Sequence, residues 1–118
     1  MGKTIITPHN QDIGKSGEDK AAQYLESQGY NILTRNFRTR YGEIDIVAQK
    51  NNAVYCVEVK TRLSNRFGSA IDAITPQKLN KMHLMAEILI QYLRAHNASV
   101  FLAVITIEPS GCQLTILE

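Results

Sequence analysis

Apolar residues recur with two different periods along this chain. A helical period covers 14–28 and 75–96, whereas the alternation typical of half-buried strands covers most of the chain between them. The segment 63–73 has neither period and is predicted to be a loop or a short helical turn. The predicted elements, in chain order, are a helix over 14–28, strands over 30–37, 42–48 and 57–62, a helix over 75–96, and strands over 99–107 and 113–117.

Capping residues indicate where the two helices begin and end. Gly29 follows the first helix in the helix-terminating position, and Thr75 followed by Pro76 is a typical helix start. A strand, a helix and a further strand require a crossover connection, which makes the two strands parallel. We therefore predict one α/β domain over 12–118, with a mixed sheet flanked by helices, behind a flexible leader at 1–11.

Two of the predicted strands carry ionised side chains near their centres, where a buried strand is normally apolar. If 51–52 form a two-residue hairpin turn, paired positions sum to 103. Asp45 then lies opposite Glu58. Glu43 lies opposite Lys60, and all four side chains share one face because side chains alternate along a strand. The other face is predicted to carry the apolar residues Ile44, Ile46, Val57 and Val59.

The opposed carboxylates, with Glu18 as a third acid, have several physical explanations. Glu18 lies on the apolar stripe of the first helix, although from the first turn it equally complements the helix dipole. The acids bind a divalent cation, share a proton, or are neutralised within the cluster by a Glu43–Lys60 ion pair. A shared proton suits glycoside chemistry, but the chain has no Trp and no aromatic sugar platform.

The metal interpretation gives a role to each residue of the cluster. Asp45 and Glu58 would hold Mg²⁺ or Mn²⁺, with the backbone carbonyl of Val59 as a further ligand. Glu18 would bind a second ion or a water molecule. Lys60 would orient the attacking water or stabilise charge on a phosphate. Such a site suits metal-assisted hydrolysis of a phosphodiester.

Basic residues flank the acidic cluster in the sequence. The formal net charge is only +2, but setting aside the four acids of the cluster leaves 13 basic residues against 7 acidic ones. A basic rim around an acidic pocket suits a nucleic acid backbone, although arginines on loops are often only solubilising. The predicted nucleic-acid-binding residues are Arg38, Arg40, Arg62, Arg66, Lys78 and Lys81.

The remaining composition excludes several other classes of protein. Cys56 and Cys112 lack metal-type spacing and are predicted to be reduced, buried thiols. No apolar run approaches the roughly 18 residues of a membrane span, and the first residues lack a signal-peptide pattern. A cytoplasmic protein that does not bind a membrane is the expectation.

The ordered motifs of the chain resemble those of a known family. An acidic residue on one strand and Glu-x-Lys on the next resembles the PD-(D/E)xK nuclease superfamily, which includes archaeal Holliday junction resolvases and restriction enzymes. More closely, residues 12–117 resemble the YraN-like family of small bacterial proteins. The motifs that carry this resemblance are Gly14-x-x-Gly17-Glu18-x-x-Ala21-Ala22, Leu25, Gly29-Tyr30, Asn36, Arg38, Gly42-Glu43-Ile44-Asp45-Ile46, Val57-Glu58-Val59-Lys60-Thr61-Arg62 and Gly68.

The resemblance implies a restriction endonuclease-like αβββαβ core. It implies Asp45, Glu58 and Lys60 as the catalytic core and Glu18 as an acid supplied by a helix. Ile44 departs from the superfamily's nominal Pro, which contributes no ligand. The implied function is a Mg²⁺- or Mn²⁺-dependent endonuclease acting on DNA rather than RNA, including branched or repair intermediates, and a homodimer is permitted. The alternative is a non-catalytic module that binds nucleic acid or a partner and keeps the nuclease fold.

Overall fold

Two helices and five strands make up the described part of the chain. The computed structural model describes residues 9–62, 74–94 and 97–118, so most of the predicted leader and the predicted loop at 63–73 lie outside it. The order confirms the predicted α/β fold with a restriction endonuclease-like αβββαβ core, followed by a fifth strand. The elements are α1 (His9–Ser27), β1 (Asn31–Thr39), β2 (Gly42–Lys50), β3 (Ala53–Thr61), α2 (Pro76–Leu93), β4 (Ser99–Glu108) and β5 (Gly111–Ile116).

The strands form one mixed sheet in the order β1-β2-β3-β4-β5. β1, β2 and β3 are antiparallel neighbours, β3 and β4 run parallel, and β5 is antiparallel to β4. The parallel pair is the one that the predicted strand, helix and strand connection requires. α1 packs on one face of the sheet through Ala21 and Leu25, and α2 packs on the other through Met85 and Leu89.

The first helix begins earlier than predicted. α1 starts at His9, so 9–11 belong to the helix rather than to a leader. The apolar period gave no sign of this extra turn, because the segment before Gly14 is mostly polar and Gly is itself unfavourable in a helix. At the other end Gly29 has a φ of 92° and follows the helix as predicted.

The second helix begins as predicted and ends slightly earlier. Thr75 is the N-cap, its hydroxyl accepting a hydrogen bond of 3.1 Å from the backbone N–H of Lys78, and Pro76 occupies the first turn. The helix ends at Leu93 rather than at 95 or 96. Arg94 takes a left-handed conformation with a φ of 55°, and its N–H bonds back to carbonyls of the last turn, which closes the helix.

β2 and β3 start as a regular hairpin and then separate. The turn at 51–52 and every Cα pair up to Ile46 and Val57 follow the predicted register. Beyond that pair β2 continues along β1 as far as Gly42, whereas β3 continues along β4 as far as Thr61. The sheet therefore forks at the end that carries the acidic residues. We call this part of the molecule the fork.

The fork also changes which face the β2 side chains occupy. Ile46 packs on the α1 face with Val57 and Val59, as predicted, but Ile44 packs against α2. Strict alternation would place Ile44 and Ile46 on one face, so that prediction is wrong for Ile44. The reason lies in the neighbouring strand, where Asn36 has a φ of 56° between the partners of these two residues. A left-handed residue interrupts the pleat at that point.

Gly17 allows α1 to approach the end of β3 closely. It is buried in the helix, and a Cβ atom at this position would overlap the hydroxyl oxygen of Thr61. Glu18 is the next residue along the helix. The missing side chain of Gly17 therefore brings Glu18 near the fork.

Gly17→Ala is expected to lower the free energy of unfolding by about 1 kcal/mol because of this overlap. Thr61→Ala removes the obstacle, so in that background the same change should stabilise the protein by up to about 1 kcal/mol, since Ala is the better helix former. Urea denaturation of the four proteins in this double-mutant cycle measures the coupling. Equal effects of Gly17→Ala in both backgrounds would contradict the close approach.

Candidate functional site at the sheet fork

Asp45 lies at the point where β2 and β3 separate. Its Oδ2 accepts a hydrogen bond of 2.8 Å from the backbone N–H of Val59. In an uninterrupted hairpin Val59 would lie opposite Ile44, so the carboxylate takes the place of a strand partner. Because a buried backbone N–H requires an acceptor, this bond holds Asp45 in position.

Carboxylates from three elements act on Asp45. Burial raises the pKa of Asp45 to about 6; the hydrogen bond from Val59 opposes this rise, and the charges of Glu58, Glu18 and Glu43 add to it. Acids from α1, β2 and β3 are therefore within electrostatic range of one carboxylate. The structure brings Glu18 to the strand acids, as the sequence predicted.

Glu43 contacts a different cation from the one predicted. Its Oε2 lies 3.4 Å from Nε of Arg38, whereas Lys60 contacts Glu58. The prediction that Glu43 lies opposite Lys60 is therefore wrong, and the ion pair between them, one of the explanations left open above, is not formed. The fork is the physical reason, because it keeps Glu43 on the β1 side of the sheet, where Arg38 is its direct strand partner.

Glu58 lies between two ammonium groups. Its Oε2 is 2.5 Å from Nζ of Lys78 and 3.6 Å from Nζ of Lys60, and its side chain is only 15% exposed. Sequence reasoning placed Lys78 in the outer basic rim, whereas the structure places it against the acidic cluster. The sequence does contain one indication of this contact, because Lys78 lies in the first turn of α2, where the helix dipole disfavours a cation unless an anion lies nearby.

The pKa values of the two lysines shift in opposite directions because of their neighbours. The ammonium of Lys78 is the main cause that lowers the pKa of Lys60, and desolvation acts in the same direction. Desolvation also acts to lower the pKa of Lys78, but the contact with Glu58 outweighs it and the net shift is upward. Lys78 is thus held as the cationic partner of Glu58.

Glu18 is positioned by an arginine from β1. Nη2 of Arg35 lies 2.8 Å from Oδ1 of Asp19 and 3.6 Å from Oε1 of Glu18. The predicted site did not include Arg35 or Asp19. Their role was hidden from the sequence because the contact joins residues 16 positions apart across two elements.

Asp45 differs from the other three acids in its partners. Among the residues that the structure describes, no lysine, arginine or histidine nitrogen lies within 4.0 Å of its carboxylate. Its described partner is the uncharged N–H of Val59. Asp45 is therefore the acid of the fork that has no cation in contact with it among the described residues.

The predicted basic rim is brought together in part. Arg38 is 72% exposed beside Glu43, and Lys81 lines the same cavity as Lys78. Arg40 packs over the ring of Tyr41 in the turn between β1 and β2. The remaining two rim residues fall at the end of β3 and beyond it: Arg62 follows the strand directly, and Arg66 lies outside the described residues.

A cavity of about 180 Å³ opens beside the fork on the α2 face. It combines acidic and basic side chains with a wall of two methionines, whose flexible side chains adapt to a changing shape. A larger cleft of about 430 Å³ lies elsewhere, lined by residues such as Asn52 and Leu93 and by none of the four acids. The cavity at the fork is lined by Gly42, Glu43, Glu58, Lys78, Lys81, Met82 and Met85.

Comparison with known proteins identifies the family of this chain. The pattern of the "Uncharacterised protein family UPF0102" matches residues 17–107. The chain belongs to the UPF0102 family. The resemblance to the YraN-like family is thereby confirmed, and the matched part of the UPF0102 domain contains Glu18, Asp45, Glu58 and Lys60.

Several relatives of this UPF0102 domain are similar over most of their length. A UPF0102 protein from Syntrophomonas wolfei is 50% identical over 86 residues, which cover 73% of this chain and 72% of the relative. One from Caldicellulosiruptor saccharolyticus is 44% identical over 89 residues, 75% of each chain. One from Mycolicibacterium vanbaalenii is 39% identical over 102 residues, covering 86% of this chain and 84% of the relative. The family is uncharacterised, so these names carry no activity.

The two cysteines are reduced thiols, as expected, but only one of them is buried. Both cysteines are free thiols; Cys56 is buried, which raises its pKa to about 12, whereas Cys112 is only half-buried. Within the described ranges, neither helix has the length and apolar character needed to cross a membrane.

Asp45→Asn is expected to stabilise the metal-free protein above about pH 6. Folding raises the pKa of this carboxyl from 3.8 to about 6, so the native state loses stability as Asp45 ionises between these values. Two pKa units correspond to about 2.7 kcal/mol, and partial exposure reduces the expected gain to roughly 1 to 2 kcal/mol. Asn keeps an oxygen that can accept the hydrogen bond from Val59.

Urea denaturation in EDTA, near pH 4 and near pH 8, measures this effect. The gain should be present near pH 8 and largely absent near pH 4. Glu26→Gln is the control, because Glu26 is exposed on α1 and its removal should change stability little at either pH. If Asp45→Asn is less stable than wild type near pH 8, ionisation of Asp45 does not destabilise the native state and the prediction is wrong.

Proposed function

We propose that this protein is a divalent-cation-dependent nuclease that hydrolyses phosphodiester bonds in DNA at the fork. The observation that supports this most directly is the state of Asp45, a half-buried carboxylate among three other acids, whose described partner is an uncharged N–H. Retaining such a group has a cost in stability, and perturbed acids of this kind are concentrated at functional sites.

The donor set fits Mg²⁺ or Mn²⁺. Asp45 and Glu58, from neighbouring strands, and the backbone carbonyl of Val59 would hold the ion, with Glu18 close enough to act through a water molecule or a second ion. Among the described residues, no three acidic, histidine or cysteine side chains are grouped closely enough to hold a metal. Mg²⁺ tolerates this, because it is usually bound by one or two carboxylates and keeps several waters.

The side chains around these acids suit phosphodiester chemistry. When bound, the cation would polarise a phosphate oxygen and lower the pKa of a bound water. Lys60, which contacts Glu58, would stabilise negative charge on the phosphate or orient the attacking water. The exposed guanidinium of Arg38 and the ammonium of Lys81 would contact neighbouring phosphates and set the position of the backbone.

A non-catalytic nucleic-acid-binding module is the second candidate, and one observation favours it. Glu58, which the proposed reaction needs as a metal ligand, is already neutralised by Lys60 and Lys78. A module of this kind would bind nucleic acid through its basic rim, with affinity that falls as salt rises, and would show no turnover with any metal.

Mn²⁺ is expected to raise the melting temperature of the wild-type protein, because a ligand that binds only the native state stabilises it. Asp45→Asn should abolish this rise, whereas Glu26→Gln should keep it. Differential scanning calorimetry at increasing Mn²⁺ measures both effects. An unchanged melting temperature for wild type at millimolar Mn²⁺ would favour the non-catalytic module.

Cleavage is tested separately from metal binding. Linear duplex, single-stranded, flapped and four-way DNA are incubated with Mg²⁺ or Mn²⁺ and the wild-type protein, Asp45→Asn, Glu58→Gln or Lys60→Met. We expect each of the three changes to reduce cleavage by at least about a hundredfold, since Asp45 and Glu58 would hold the cation and Lys60 would stabilise charge on the phosphate or orient the attacking water. Activity that survives Asp45→Asn and Glu58→Gln would refute the assignment of these residues.

A further inference from the structure

Lys78 differs from the other basic residues of the fork in its close contact with Glu58. Lys78 comes from the first turn of α2, whereas Lys60, the other cation in contact with Glu58, comes from β3. Its Nζ lies 2.5 Å from Oε2 of Glu58, which is shorter than the 3.6 Å contact of Lys60 with the same oxygen. Of the two ammonium groups, Lys78 is therefore the main counter-ion of Glu58.

A divalent cation and Lys78 compete for the charge of the same carboxylate, that of Glu58. A cation bound by Asp45 and Glu58 would bring two further positive charges next to the ammonium groups of Lys60 and Lys78. Repulsion between like charges in a partly buried site is large, so one of these ammonium groups has to leave. Lys78 is the closer of the two to Glu58, so it is the group that a cation on this carboxylate would displace.

The surroundings of Lys78 allow it to move. Its side chain is 34% exposed and lines the 180 Å³ cavity together with Lys81, Met82 and Met85. A lysine carries its charge on a flexible four-carbon stem, and methionines adapt their shape to a neighbour. The ammonium group can therefore turn from Glu58 towards the opening of the cavity without a change in the backbone.

A phosphate is the anion that suits the released ammonium group. No acidic residue lies in the first turn of α2, and the backbone N–H groups at this end of a helix favour a negative charge. Lys81 lies one turn further along and lines the same cavity. Once Lys78 leaves Glu58, two ammonium groups and a helix N-terminus face an anion on the α2 side of the fork.

We propose that Lys78 is a phosphate-binding residue that occupies Glu58 until a divalent cation replaces it. The protein then binds DNA phosphate more tightly when the cation is present, because the cation releases Lys78 for the substrate. This inference rests on the proposed function, since it requires the cation site. It adds a coupling between cation and substrate that the two carboxylates alone do not provide.

The cation arm of the test is calorimetric titration with Mn²⁺ alone. Lys78→Met should bind Mn²⁺ roughly three- to tenfold more tightly than wild type, because Glu58 no longer has to be freed from a close ammonium contact. Lys78→Arg keeps a cation on Glu58 and should bind Mn²⁺ about as weakly as wild type. Lys81→Met is the matched control for net charge, and its Mn²⁺ affinity should stay within about twofold of wild type.

The phosphate arm uses a short phosphorothioate duplex, which resists hydrolysis, and fluorescence anisotropy. In EDTA, Lys78→Met should bind this duplex about as well as wild type, because Lys78 is then engaged with Glu58. In Mn²⁺ it should bind more weakly, and the slope of log affinity against log salt should be shallower by about 1, as expected for one lost phosphate contact. Lys78→Gln is the second variant in case Lys78→Met is poorly folded.

The outcomes separate this inference from the proposed function. Tighter Mn²⁺ binding together with a DNA defect that appears only with Mn²⁺ supports the inference. Wild-type Mn²⁺ binding that Lys78→Met and Lys78→Gln leave unchanged overturns the inference and leaves the proposed function standing. Absence of Mn²⁺ binding in wild type and in every variant overturns both. A DNA defect of equal size in EDTA and in Mn²⁺ also overturns the inference, because Lys78 is then an ordinary contact of the basic rim.

Discussion

The hydrogen bond from the backbone N–H of Val59 to the Asp45 carboxylate is the interaction on which the site depends. β2 and β3 share a two-residue turn and a regular register, yet beyond Ile46 and Val57 each follows its other neighbour in the sheet. Separation of two paired strands leaves backbone groups without partners. A side chain from one strand supplies a partner to the other, so the carboxylate that we propose as a metal ligand also holds the fork together.

Charges at the fork come from both faces of the sheet, and neither helix is dispensable. α1 contributes Glu18, brought close by the small residue before it and oriented by Arg35 from β1. α2 contributes Lys78, which neutralises Glu58. Glu43 is in turn paired with Arg38, so three of the four acids have a cation in contact, whereas Asp45 has none among the described residues. The result is a strongly asymmetric field around Asp45, which is the arrangement that a site for an incoming cation requires.

Local patterns predicted most of this architecture, and long-range geometry accounts for what they missed. Alternation and capping residues gave the element order, the hairpin register and the parallel pair, because these depend on neighbours in sequence or on chain connectivity. The same rules wrongly placed Ile44 and paired Glu43 with Lys60, because they assume that a strand stays regular. Asn36 breaks that regularity from the adjacent strand, and no pattern within β2 records it. Lys78 was assigned to the rim for a related reason: its partner is 20 residues away on another element.

The unfavourable ionisation of Asp45 has a consequence for how such a protein changes under selection. A chain selected only for heat resistance gains stability by replacing Asp45 with a neutral residue of the same shape, and the fork can keep the hydrogen bond from Val59. Such a chain would therefore keep its fold after losing the proposed nuclease activity. Retention of an acid at this position among laboratory-evolved variants would indicate that some activity, rather than folding alone, was being selected.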